Sequence, residues 1–257
     1  MLRIVKAAAK AKGFKSLSVV QKRNSSTSGI FELRQYHLKP ECVGSYMAEA
    51  TASSDLRKSL VPLRLFSLPE VGGELNVASH LYYYEGGMKD RAAKRKISGA
   101  NEEWVSFVNS SRSGVRWQES RIYAEAPQFV LDAGGAKGGK WEGEGVSEPG
   151  VYEYRKYQLP LGYVTVPNFL EIYAEGVQEK VQHQDPATSL CTVMYTEVGK
   201  LNEVIEIWRH SCVGGMESSR FMAREAPKWR EAIGKMAEIA IKFENEIVNP
   251  VSFSNWK

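Results

Sequence analysis

One stretch of this chain is written twice, and no other feature limits the fold as much. Glu197 to Trp208 reads E-V-G-K-L-N-E-V-I-E-I-W, and Glu70 to Tyr82 reads E-V-G-G-E-L-N-V-A-S-H-L-Y. With one residue of slippage after the shared E-V-G, Leu75 and Asn76 match Leu201 and Asn202. His80, Leu81 and Tyr82 then fall opposite Glu206, Ile207 and Trp208. Further upstream, Glu32, Arg34 and Tyr36 recur as Glu153, Arg155 and Tyr157. A chain of 257 residues is long enough for two small copies of one unit.

The first copy spans 30–127. Alternation predicts a strand from Ile30 to Leu38. Pro40 and the spacing of Val43, Tyr46, Met47, Ala50, Leu56 and Leu60 predict one helix from Glu41 to about Leu60. Leu63 to Leu68 and Leu75 to Glu85 read as strands of a hairpin, with Gly72 and Gly73 free to take positive φ. Met88 to Lys96 is helix-prone, and Asn101 predicts the cap of a helix carrying Trp104, Phe107 and Val108. Val115 to Ala124 is the closing strand. The second copy, 151–257, repeats the order. It has a strand from Val151 to Leu159, a helix carrying Phe169, Leu170, Ile172 and Val177, and strands from Leu190 to Glu197 and Leu201 to His210. Two helical segments follow, at Met216 to Ala223 and from Pro227, and a last strand lies near Glu244 to Ile247. Residues 128–150 hold seven glycines and read as a linker or mobile loop without core residues.

Two β-α-β-β-α-β copies predict an α+β protein of two tandem ferredoxin-like units. Helices cover one face of each sheet and leave the other bare. The two bare faces can cover each other, as an internal pseudo-dimer with the sheets facing and the helices outside.

Charge separates the start of the chain from the rest. Residues 1–29 carry seven Lys and Arg and no acid, so the net charge of +4 resolves into +7 on this leader and −3 on the remainder. A basic, Ser-containing, acid-free start has the composition of a mitochondrial transit peptide. The competing reading is a plain basic tail. A remainder near −3 gives no reason to expect a nucleic-acid partner, and no apolar run is long enough for a membrane span. Cys42, Cys191 and Cys212 are odd in number and lack C-x-x-C spacing. They predict neither a disulfide framework nor a metal site and agree with a reducing compartment such as the matrix.

Three separated motifs carry a resemblance. They are E-L-R-x-Y at the head, E-V-G-x-L-N-x-V-x-x-I-W in the middle and the strand Gln118 to Ile122, Q-E-S-R-I. In this order the chain resembles the NIPSNAP family over about 30–127 and 151–253. The resemblance implies a dimeric α+β barrel type of fold, two tandem domains and mitochondrial residence. It also implies a role in mitochondrial quality control and mitophagy, with autophagy adaptors as protein partners, and more loosely in vesicular transport. It brings no catalytic residues. The first copy departs from the pattern, with Val77 to Tyr82 where the second copy has Glu203 to Trp208.

Seven residues are candidates for binding a ligand in the barrel. Arg34, Tyr36 and Arg155 sit at alternate positions of strands, so each Glu-Arg-Tyr trio shares a face. An arginine in such a cluster can hold a small anion; the competing reading is a structural ion pair. His80 and Glu206 are matched positions where the copies differ, as are Tyr82 and Trp208. A strand histidine can act as a general base or haem ligand, though a hydrogen-bonded structural histidine is the plainer reading. Aromatic residues are also simply favoured in strands. The basic run Lys89–Lys96 reads as a solvated helix face. Gly134–Gly139 lacks the ending and frame of a phosphate loop.

Two functions follow from different classes. The first is a non-enzymatic mitochondrial protein working through protein partners, without cofactor or catalytic residues, and able to form homo-oligomers. The alternative is a small-molecule- or haem-binding α+β barrel enzyme, oxygenase-like. A barrel core filled by aromatic and aliphatic side chains favours the first, and a polar cavity with converging histidine and arginine favours the second.

Overall fold

The structure, a computed structural model, describes residues 29–141 and 149–257. The predicted leader, apart from Gly29, lies outside these residues. The first half comprises β1 (Ile30–Leu38), α1 (Val43–Ala52), α2 (Ser54–Leu60), β2 (Leu63–Val71) and β3 (Val77–Tyr84). It continues through α3 (Gly87–Ala100), α4 (Glu102–Ser111) and β4 (Val115–Glu125). After α5 (Gln128–Gly134) come β5 (Val151–Gln158), α6 (Thr165–Lys180), β6 (Ser189–Val198) and β7 (Glu203–His210). The chain ends with α7 (Val213–Met222), α8 (Pro227–Ile239) and β8 (Lys242–Pro250).

The predicted elements form, with four differences. The helix expected from Glu41 to Leu60 divides at Ser53, whose ψ of 13° leaves the helical range. Thr51, Ser53 and Ser54 are weak helix formers whose hydroxyls compete for backbone groups. The long strands start at Val77 and Glu203, two residues after the leucines expected to open them. Asn76 (φ 61°) and Asn202 (φ 59°) turn the chain first, in a left-handed conformation that asparagine tolerates. In the first hairpin positive φ is taken by Gly72 and Asn76, not by Gly73. The fourth difference concerns the glycine-rich segment. It carries α5, and Val130, Leu131 and Trp141 are buried, so its first part belongs to the core. A Cβ on Gly134 would clash with the Leu190 side chain. That glycine serves close packing as much as freedom. Asn101 caps α4 as expected, its Oδ1 accepting from the Trp104 N–H at 2.8 Å.

All eight strands close into one antiparallel barrel in the order β1-β3-β2-β8-β5-β7-β6-β4. Each half contributes four neighbouring strands, β4-β1-β3-β2 and β8-β5-β7-β6. The seams are β2 with β8, where Leu68 faces Asn249, and β4 with β6, where Ala124 faces Tyr195. One apolar cluster draws residues from every strand, including Phe31, Leu65, Leu81, Tyr123, Tyr154, Met194, Ile207 and Val248. Side chains from all eight strands of a closed barrel can meet only in its interior. The interior is therefore filled by aromatic and aliphatic side chains. Trp141 and Trp256 join this cluster, with Trp256 stacked on Tyr152 and its indole N–H donating to the Trp141 carbonyl at 2.7 Å. Two further clusters lie between the barrel and the helices. One packs Tyr46, Tyr82 and Tyr84 in the first half, and the other packs Phe169, Tyr173, Trp208 and Trp229 in the second.

Candidate functional site

Strand alternation puts Phe31 and Leu33 inside the barrel, so Glu32, Arg34 and Tyr36 must point the other way. The same parity turns His80, Tyr82, Arg155, Glu206 and Trp208 toward the helices. The seven candidates thus do not line the barrel interior, as expected, but two separate layers between sheet and helices. The register pairs Arg34 with His80 and Arg155 with Glu206, so the halves can be compared position by position.

In the second half a carboxylate sits at the centre. Glu206 is fully buried and accepts hydrogen bonds from Tyr157 Oη (2.7 Å), Tyr173 Oη (2.6 Å) and Trp208 Nε1 (2.6 Å). Arg155 Nη1 lies 3.4 Å from it. Lys180, on α6, places its Nζ 2.9 Å from the centre of the Trp208 ring. Burial pushes this ammonium down to about 7, with Glu206 pulling the other way. Glu153, next on the same face of β5, accepts from Arg220 on α7 (2.7 Å), His210 (3.1 Å) and Asn245. Burial opposes its charge, but His210, Arg155 and Arg220 outweigh burial and hold the carboxyl well below the usual range. His210 Nδ1 lies 3.0 Å from Thr188 Oγ1. Thr188, His210 and Glu153 follow the order of a nucleophile, base and acid. All three are buried, and the Thr188 hydroxyl also bonds Ser219 at 2.7 Å.

The first half repeats the outer part of this arrangement. Glu32 accepts from Ser120 (2.7 Å), Arg91 on α3 (2.8 Å), Arg34 (3.1 Å) and Tyr84 (3.1 Å). Burial opposes its ionisation, but Arg91, Ser120 and Arg34 prevail and bring its pKa down to about 2. The centre differs, because His80 stands where Glu206 stands in the second half. The imidazole is fully buried between the rings of Phe66 (4.2 Å) and Tyr36 (4.7 Å). Its Nε2 is 3.4 Å from Tyr46 Oη. Burial first, then Arg57 and Arg34, keep it neutral. Its Nδ1 has no hydrogen-bond partner, but the ring is 0% exposed and leaves no side open to a porphyrin, so these residues do not fit haem. Arg57, on α2, donates to Tyr82 Oη at 2.8 Å and packs over Phe66, Trp104 and Phe107. Beside it, a cavity of about 260 Å³ opens between β1, β3, β4 and the helices α3 and α4.

Sequence reasoning missed Arg57, Arg91, Arg220, Tyr46, Tyr173 and Lys180. Arg91 and Arg220 each lie on the first helix after a long strand, so matching the repeats helix by helix could have found them. Tyr46 and Tyr173 likewise share the first helical region of their halves. Arg57 and Lys180 stand in corresponding places, over Trp104 and Trp229, but as different residue types they gave no such signal.

Lys180→Met is expected to stabilise the fold at neutral pH, since burial disfavours the ammonium more than Glu206 favours it and Arg155 still pairs Glu206. Between about pH 7 and 10.5 the folded state binds fewer protons at this site than the unfolded chain. Wild-type stability therefore gains with rising pH through that window, and the advantage of the variant shrinks. Urea denaturation of both proteins at the two ends of the window checks this; a constant difference is the contrary result.

Among the described residues no helix is long and apolar enough to cross a membrane, and no cluster of three metal-ligating side chains occurs. A sequence profile described as NIPSNAP matches residues 31–128 and 152–255. The human protein NipSnap homolog 3A is 25% identical over 233 residues, covering 89% of this chain and 87% of its own length. Mouse NipSnap homolog 2 is 23% identical over 233 residues, covering 89% and 76%. Among solved structures, an anthrone oxidase-like protein superposes with a TM-score of 0.56 at 11% identity, covering 87% of this chain and 92% of the other. At that identity the likeness concerns the fold alone.

Proposed function

The chain belongs to the NIPSNAP family, and from that premise we propose that it is a mitochondrial protein acting through protein partners and not by catalysis. The two four-stranded sets, each in the order of a ferredoxin-like unit, support reading the barrel as an internal pseudo-dimer. The matrix is the compartment proposed, on the composition of the leader. The role proposed is the one the family resemblance implies, in organelle homeostasis through mitophagy signalling or vesicular transport, with an autophagy adaptor as partner. The filled barrel interior supports a scaffold over an enzyme.

The observation that carries the reading is an apolar surface on the second half. The loop between β5 and α6 presents Leu161 at 83% and Tyr163 at 104% exposure. It borders a groove of about 840 Å³ that also includes Phe129, Tyr195 and Leu201. The matching connection of the first half, Lys39 to Cys42, carries no large apolar side chain. Large apolar side chains grouped in water mark a surface that is covered in use.

The test is capture from mitochondria with the tagged chain, read by native mass spectrometry, beside a Leu161→Asp/Tyr163→Asp variant. Both positions are exposed, so the variant is expected to keep the wild-type melting temperature. It is expected to lose a partner that the wild type retains. Equal recovery of every partner by both proteins, or failure of the chain to enter mitochondria, counts against the proposal.

A further inference from the structure

The cavity beside Arg57 has an excess of hydrogen-bond donors and positive charge. Arg34, Arg57, Arg95 and Arg112 line it, and no aspartate or glutamate does. Arg34 shares the Glu32 carboxylate, at 3.1 Å, with Arg91. Arg57 is only 3% exposed. Among the described residues no carboxylate lies within ion-pair distance of it, and its Nε–H has no hydrogen-bond partner. The hydroxyls of Tyr36 and Tyr82 accept from Arg34 and Arg57. Among the described residues neither hydroxyl proton has an acceptor of its own. A buried guanidinium without a counter-charge is costly, and contacts with aromatic faces offset only part of that cost.

The second half shows what completes such a layer. There the matched donors Tyr157 and Trp208, with Tyr173 from the first helix, converge on the Glu206 carboxylate, and Arg155 stands beside it. In the first half Tyr36, Tyr46 and Tyr82 surround a neutral His80 instead. The anion built into one half is a neutral imidazole in the other, with its Nδ1 unpartnered among the described residues, and the cavity opens in the half that lacks the anion.

We infer that this cavity binds a small organic carboxylate, which supplies to the first half the anion that Glu206 supplies to the second. Arg57 and the hydroxyls of Tyr36 and Tyr82 hold the carboxylate. Trp104, Phe107 and Val108 form an apolar wall for its carbon skeleton. Arg57 is the one buried arginine of the lining without a carboxylate partner among the described residues, while Arg95 and Arg112 stand nearer solvent. One buried cation suits a monoanion, and two acceptor oxygens suit several unspent donors. The volume lies just below the usual range of small-molecule sites, which restricts the ligand to a small acid. This inference is independent of any protein partner.

The test is calorimetric titration of the full chain with acetate, benzoate, neutral benzamide and inorganic phosphate. Benzoate is expected to bind and benzamide not. Arg57→Met and His80→Glu are each expected to weaken benzoate by about tenfold or more, the first by removing the cation and the second by supplying an internal rival. Tyr82→Phe, which keeps the cation and the packing, is expected to weaken it less. His80→Glu is also expected to raise the melting temperature, a readout that needs no ligand and that an ordinary buried carboxylate would move downward. The inference is overturned if neither carboxylate binds at millimolar concentration, or if benzamide or phosphate binds better than benzoate. It is equally overturned if His80→Glu lowers the melting temperature and binds benzoate as the wild type does.

Discussion

Replacing Glu206 with alanine is expected to destabilise the fold by about 3–5 kcal/mol, the usual loss when one member of a buried charge pair is removed. The reason is the number of groups that depend on one carboxylate. Tyr157, Tyr173 and Trp208 lose their acceptor, and Arg155 loses an ion pair at 3.4 Å. Lys180 loses the anion that favours its charged form. Glu206 is sealed from bulk solvent, with an exposure of 0%. Glutamine at this position keeps acceptor capacity without charge and is expected to lose less. Glu238→Ala, on the exposed side of α8, is the control and is expected to change little. Adding Lys180→Met to Glu206→Ala should restore part of the loss, because neighbouring buried charges couple. Urea denaturation measures all four proteins. A loss at Glu206 no larger than at Glu238 would show that the layer is not held by this carboxylate.

The second large effect is acid unfolding driven by Glu32. Its carboxyl has a pKa near 2 in the fold against 4.5 for the free group. An acid whose folded pKa is depressed stabilises the protein above its unfolded pKa. That stabilisation disappears as pH falls through the folded value. The window is therefore from about pH 4.5 down to about pH 2. The loss across it is on the order of 3 kcal/mol from this group. The charged groups facing it are Arg34 on its own strand and Arg91 from α3, with Ser120 on β4 and Tyr84 on β3 as neutral donors. Glu153 acts in the same direction in the second half, where His210, Arg155 and Arg220 surround it. Glu32→Gln is expected to be less stable than wild type at neutral pH and to show a flatter profile through the acid window. Parallel profiles for the two proteins would remove Glu32 as the cause.

The repeated hairpin motif marks two copies, and with E-L-R-x-Y and Q-E-S-R-I it carries the family resemblance. Asn76 and Asn202 mark why the copies were visible, since each occupies a left-handed turn that few residues other than glycine adopt readily. The glycine content of residues 128–150 is that of a linker, yet Val130, Leu131 and Trp141 are buried. Glycine beside a packed leucine and glycine in a free loop look the same in one dimension.

For the site, the sequence determined that Glu32, Arg34 and Tyr36 share a face, as do Glu153, Arg155 and Tyr157, because side chains alternate along a strand. It also placed His80 opposite Glu206. Which face of the barrel these residues occupy was decided only in three dimensions, because alternation defines two faces without saying which one the helices cover. The same holds for the groups that give the layers their character. Arg57, Arg91, Arg220 and Lys180 come from helices, and a helix turns any residue toward its neighbours only once packing has set its rotation. That packing leaves Arg57 beside a cavity with no carboxylate, while Lys180 and Arg155 lie near Glu206.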